Sequence, residues 1–251
     1  MDAEAKISQL YWSYTNRFME IFTFRKFCDH SFEFSESINK NREISIANAF
    51  FYSDIDDYFT DKDAALKIIG TPESMAEKFY EHKFLRVKTS IDAASLVFAH
   101  AIIDNLVYDL CTISSWILAD KWSGKVRKRS VSLEDIPRLA RDDIRNNLIS
   151  KYVSCLERKS LLKKFDILLS VCRPSDDLQL THGQRLDRDR LRGLDALRHD
   201  VAHRNHASSI LPHGDDDIKF LKDMCSLLVL AVCKSCNLKL NPLKMFPKEE
   251  S

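Results

Sequence analysis

The sequence predicts an all-α chain, and three observations carry that prediction. Only five glycines occur in 251 residues, too few for the tight turns of a β-rich fold. Apolar residues recur three and four positions apart, the period of a helix rather than the alternation of a strand. After Gly70-Thr71-Pro72, a helix stop, an N-cap and a proline suited to the first helical turn, roughly fifty residues pass with neither glycine nor proline.

Taken in order, Ile7, Leu10, Tyr11, Tyr14, Phe18, Ile21 and Phe22 form one stripe and predict a first helix over about 3–27. Residues 28–62 are rich in Phe, Ser and Asp around Phe50-Phe51-Tyr52, and predict a short helix between irregular segments, with those aromatics as packing or dimer contacts. The stretch opened by Pro72 is long enough for two helices. The second, about 91–119, is apolar nearly all round (Ala93, Leu96, Val97, Ile103, Leu106, Leu110), as a central core helix is. A basic loop follows with Lys121, Lys125, Arg127, Lys128 and Arg129, and Ser132-Leu133-Glu134-Asp135 opens a helical stretch to about Val171 with a break near Arg158. Arg173-Pro174 and Thr181-His182-Gly183 mark a loop before a charged helix over about 184–206. Leu211-Pro212-His213-Gly214 closes it, and a last helix, about 216–236, starts with aspartates at the positive end of its dipole. We divide the chain into an N-terminal helical extension, 1–90, and a functional bundle, 91–251, with a soft boundary that leaves room for one domain.

Composition excludes several classes. Apolar residues make up 45% and charged residues 30%, a globular balance long enough to bury a core without disulfides or metals. No run of eighteen uncharged apolar residues marks a bilayer span, and the acidic start, Met1-Asp2-Ala3-Glu4, lacks the features of a signal peptide, so a cytoplasmic protein without membrane attachment is expected. The seven cysteines are scattered and odd in number, as buried thiols in a reducing compartment are. Cys233 and Cys236 form a CxxC with no second pair to complete a zinc site, so no metal or other cofactor is expected. The net charge of +1 decides nothing about nucleic acid, which leaves the distribution of charge to decide it.

That distribution singles out the helix at 184–206. It carries Arg185, Arg188, Arg190, Arg192, Arg198 and Arg204 with His199, His203 and His206, against a narrow apolar side of Leu186, Leu191, Leu194, Leu197 and Val201. Arg198 and His203 lie about 140° apart around the helix axis, so two long side chains converge on one object near the helix end. A phosphate suits them: the guanidinium donates in a planar fork, and imidazole moves a proton near neutral pH. The same residues also read as cations favoured by the helix C-terminus or paired with Asp187, Asp189, Asp195 and Asp200. A third reading takes Asp195, His199, His203 and His206 as one metal-binding face. Outside this helix, His100 and Asp104 stand one turn apart and read as a satisfied buried pair, and Trp122 beside the basic loop reads as a stacking contact or part of a solvated surface.

The segment Arg198-His199-Asp200-Val201-Ala202-His203, on the penultimate long helix and followed by one amphipathic helix, resembles the Arg-x4–6-His motif of the HEPN superfamily. A polar residue usually follows the Arg in that family, and His199 fits. The resemblance covers about 91–237 and implies a HEPN-like helical bundle behind the N-terminal extension. It implies a metal-independent endoribonuclease of toxin–antitoxin, anti-phage or RNA-processing systems, active as a homodimer, with Arg198 and His203 essential and His199 or Asp200 orienting them. RNA is then held by Arg192, Arg204, Lys125, Arg127, Lys128 and Arg129, and a cognate antitoxin or defence partner is implied. The alternative is a catalytically silent HEPN-like module that binds RNA or a protein. One departure stands out: where toxins of this family paired with a nucleotidyltransferase antitoxin commonly carry a Tyr, two places after the motif His, this chain has Asn205. The dimer also has a chemical rationale. Cleaving RNA without a metal takes a base for the 2′-OH proton and an acid for the leaving oxygen, each chain offers one motif His, and a twofold axis supplies the second.

Overall fold

A computed structural model of the chain describes residues 2–47, 61, 72–126, 141–174, 178–204 and 214–245, with the backbone alone for 32–47, 72–87, 141, 142, 203 and 204. Among the described residues the regular elements are helical, with one isolated antiparallel bridge between Gln179 and Arg185. They are α1 (Ala3–Ala47), α2 (Pro72–Ile117), α3 (Ala119–Ser123), α4 (Arg141–Ser154), α5 (Leu161–Cys172), α6 (Arg188–Arg204) and α7 (Asp215–Cys236), followed by a 3-10 turn, Pro242–Lys244.

The first two helices outrun their sequence boundaries. The Asp2 carboxylate accepts from the Ala5 backbone N–H at 3.0 Å and caps α1, which then continues to Ala47 instead of ending near 27. The apolar stripe fades beyond Arg25, yet no glycine or proline occurs before Gly70 to stop the helix. For the same reason α2 is one helix of 46 residues where two were expected. It ends in a hydroxyl-rich turn, where Thr112, Ser114 and Ser115 donate back to the carbonyls of Tyr108, Cys111 and Thr112 and the Trp122 indole donates to Ser114 Oγ.

The helix α2 is the axis of the bundle, in contact with α1, α4, α5, α6 and α7. Its segment Lys88–Ile117 is long and apolar enough to cross a membrane by length and composition, a test that a core helix also passes. Leu96, Ile103, Leu106, Val107 and Leu110 are buried along it against Ile7, Phe18, Phe165, Leu191, Leu221 and Leu228 of the surrounding helices. Each fully buried side chain of this kind contributes about 1.5–3 kcal/mol. The polar residues of α2 assign its neighbours. Asp92 meets Arg25 of α1 at 2.7 Å, His100 meets Asp195 of α6 at 2.6 Å, Asp104 meets Lys164 of α5 at 2.7 Å, and Asp109 accepts from Tyr14 of α1 at 2.7 Å. The boundary expected near residue 90 thus falls inside α2, and Ile7, Tyr14, Phe18 and Ile21 of α1 share one core with the helices that follow.

The predicted break near Arg158 is the turn between α4 and α5. The helix α6 starts at Arg188, later than the expected 184, because Gln179 to Arg185 close a tight loop in which Leu180 N–H donates to Gln184 C=O and Gly183 takes φ 85. Asp187 then caps α6 by accepting from Arg190 N–H at 2.9 Å. Asn237, at φ 54, ends α7 in a left-handed cap, with Leu238 N–H donating to Cys233 C=O.

Candidate functional site

The arginines in the first half of α6 are spent on neighbours. Arg188 forks onto Asp166 of α5 at 2.6 and 2.7 Å and holds that carboxyl below the usual range. Arg190 reaches Asp217 of α7 at 2.7 Å and lies over the Phe220 ring at 4.4 Å. Arg192 pairs with Asp189 at 3.2 Å on the open surface. Of the aspartates read in the sequence as partners, only Asp189 forms an ion pair with one of these arginines; Arg188 and Arg190 take Asp166 and Asp217 from other helices instead.

The second half of α6 faces an open cleft of about 460 Å³, within the range of small-ligand sites. Arg198, His199 and Asp200 line it together with Arg192 and Asp195, His100 and Asp104 come from α2, and Lys159, Ser160 and Leu161 come from the start of α5. Of the motif, then, Arg198, His199 and Asp200 are brought together, with His199 exposed and the other two partly buried. His203 and Arg204 stand in the last turn of α6, where the backbone alone is described.

Carboxylates and cations share this cleft, and Asp104 and Asp195 are each met from another helix. Asp104 contacts the buried Lys164 as an ion pair, without hydrogen-bond geometry at that oxygen. Asp195 is bound by His100 Nε2, and this bond, followed by the charges of His100, Arg198 and His199, holds the Asp195 carboxyl below the usual aspartate range against the opposing effect of burial. The pair expected within α2, His100 with Asp104, is therefore corrected: the two share the cleft but bind different helices. They lie one turn apart, but α6 and α5 each bring an oppositely matched group within 3 Å. Sequence reading missed Asp195 as a partner of His100, and missed Lys159, Ser160 and Lys164. A hint lay in the polar residues of an otherwise apolar α2, since each needs a partner on another helix.

The expected RNA contacts are less concentrated. Arg192 lines the cleft, whereas Lys125, exposed in the turn after α3, does not. The charge of nearby Lys121 is felt by Cys172 and Cys236, at the far end of α5 from Lys159. Trp122 is corrected as a stacking platform, because it is fully buried and its edge meets Tyr152 at 6.3 Å. Arg127, Lys128, Arg129, Asn205, His206 and the Phe50-Phe51-Tyr52 segment lie outside the described residues. Among the described residues no three His, Cys, Asp or Glu side chains group as metal ligands, and the face read as Asp195, His199, His203 and His206 is described only for its first two side chains. Cys233 and Cys236 are buried at the end of α7, and burial pushes both thiols up to about 11.

No protein-family model, curated protein or solved structure matches the chain.

Proposed function

We propose that the chain is a metal-independent endoribonuclease of HEPN type, with its site completed by a second copy. One observation supports this reading above the others: Arg198, His199 and Asp200 line an open cleft with Lys159, while Arg188, Arg190 and Arg192, earlier on the same helix, are paired. Asp104 and Asp195 are met by Lys164 and His100, while Arg198 and Lys159 line the cleft without an ion-pair partner among the described residues, and an anion such as an RNA phosphate is the ligand that suits them.

In the proposed reaction a motif imidazole takes the 2′-OH proton and the 2′-oxygen attacks the neighbouring phosphorus. The 5′-oxygen leaves with a proton from the second copy's imidazole, so the products are a 2′,3′-cyclic phosphate and a 5′-hydroxyl. The Arg198 guanidinium steadies the extra charge on the phosphorane, a contribution whose loss costs on the order of 10²–10³ in rate. DNA lacks the attacking hydroxyl, so RNA is the substrate class. A toxin–antitoxin or anti-phage system is the setting that goes with this reading.

The test is incubation of the chain with single-stranded RNA in excess EDTA, with the product ends identified. Cyclic or 3′-phosphate and 5′-hydroxyl ends are expected. Cleavage that vanishes with chelator and returns with Mn²⁺ would contradict the proposal.

A further inference from the structure

Two aspartate–arginine pairs stand at the same spacing on α6, and only one is closed. Asp189 and Arg192, three residues apart, meet at 3.2 Å. Asp195 and Arg198 have the same spacing on the same helix, yet Arg198 has no ion-pair or hydrogen-bond partner among the described residues. Opposite charges at this spacing reach each other readily on a helix surface and attract, so the open pair requires a cause.

The cause lies on α2. His100 Nε2 is 2.6 Å from Asp195 Oδ1, and the His100 side chain is 6% exposed, in the wall of the bundle beneath the cleft. Its other nitrogen, Nδ1, is buried without a hydrogen bond among the described residues, so the Asp195 contact is the ring's one polar anchor. The Asp195 side chain keeps 26% exposure, enough to turn toward Arg198 if His100 released it. The lowered pKa of Asp195 agrees, since the His100 bond is its largest cause and the charge of Arg198 ranks behind it.

We propose that His100 is a positioning residue: by holding the Asp195 carboxylate against α2, it keeps the Arg198 guanidinium unpaired and open to an anion in the cleft. The identity of that anion as an RNA phosphate rests on the function proposed above; the holding of Asp195 does not. The design resolves a conflict in the sequence. An aspartate one turn before the functional arginine would otherwise compete with the phosphate for the same donors, and a buried imidazole on a neighbouring helix takes that aspartate out of competition.

The experiment measures the rate at which phenylglyoxal, an arginine-directed reagent, modifies Arg198 and Arg192 in the full chain, resolved by peptide mass spectrometry. Asp189→Asn releases Arg192 from a closed pair and should speed its modification about twofold, the size expected for one such pair. Asp195→Asn should leave the Arg198 rate unchanged, because that pair is already open. His100→Leu should slow Arg198 by about twofold or more, as the freed carboxylate closes on it. His100→Gln, which keeps an amide donor for Asp195, should retain the wild-type rate, and the double variant His100→Leu/Asp195→Asn should recover it. A merely structural His100 has no reason to be rescued by neutralising Asp195. The proposal is overturned if Asp195→Asn speeds Arg198 as Asp189→Asn speeds Arg192, or if the double variant stays as slow as His100→Leu. Should His100→Leu fail to fold, the comparison of the two aspartate variants decides alone. Binding of a fully 2′-O-methylated single-stranded RNA then tests the ligand. If the reagent pattern holds while the wild-type chain neither binds nor cuts RNA, the RNA reading falls and the positioning role stands.

Discussion

Arg188 and Arg190, at the start of α6, point at carboxylates of α5 and α7, whereas Arg198, farther along the same helix, points into an open cleft between α2 and α5. The residue type is the same and so is the helix; what differs is the neighbour. In the first half Asp166 and Asp217 approach from other helices and close on the guanidinium groups. In the second half Asp195, at the spacing that would let it pair with Arg198, is bound by His100. An arginine-rich helix is thus part clamp and part cleft wall, and the division follows from where the other helices place their acids.

The sharpest way to break this comparison is to remove the motif imidazole. His203→Ala should reduce RNA cleavage at least about 10²-fold, while His206→Ala, which shares the helix end but not the motif spacing, should lose far less. Cleavage rates of the two purified variants on one labelled RNA decide it. Equal losses would mean that the helix end acts as a histidine face and not as an Arg-x4-His pair.

A smaller effect, on stability, belongs to the clamp half. Arg190→Ala removes the Arg190 contact from Asp217, 2% exposed, and should cost roughly 1–3 kcal/mol by urea unfolding, below the cost of breaking a fully buried pair because the arginine itself is 35% exposed. Arg188→Ala should cost much less, since both partners of that pair face water. If the order is reversed, burial of the acid is not what sets the worth of these pairs.

The sequence made the all-α class legible through sparse glycine and helical spacing, and it pointed to Arg198, His199 and Asp200 as neighbours on one helix end, which they are in the cleft. Helix ends were less legible. A fading apolar stripe after Arg25 resembles a boundary, but neither proline nor glycine follows before Gly70, and the helix runs on through Ser and Asn residues to Ala47. The cleft's other walls were not legible, because His100 and Asp195 are 95 residues apart and no local pattern records that α2 and α6 touch. Local chemistry also misled at His100 and Asp104, which look like a pair at one-turn spacing until Asp195 and Lys164 are placed.

A finer test concerns acid. The Asp195 carboxyl is held below its ordinary 3.8, so its contribution to stability is fully present above that pH and is lost as the pH falls through the lowered value. Asp195→Asn should therefore destabilise the fold modestly at neutral pH and progressively less below pH 3.8, as seen in melting temperatures across an acid series. A difference that widens on acidification would contradict the pairing of Asp195 with His100.

The comparison between the two halves of α6 is tested most directly by Arg198→Ala and Arg190→Ala, assayed side by side for RNA cleavage in EDTA and for thermal unfolding. The account predicts a crossing: Arg198→Ala loses cleavage by on the order of 10²–10³ with its melting temperature nearly unchanged, and Arg190→Ala loses stability while the folded protein cuts at close to the wild-type rate. Cleavage that survives in Arg198→Ala, or that falls equally in both variants, would contradict it.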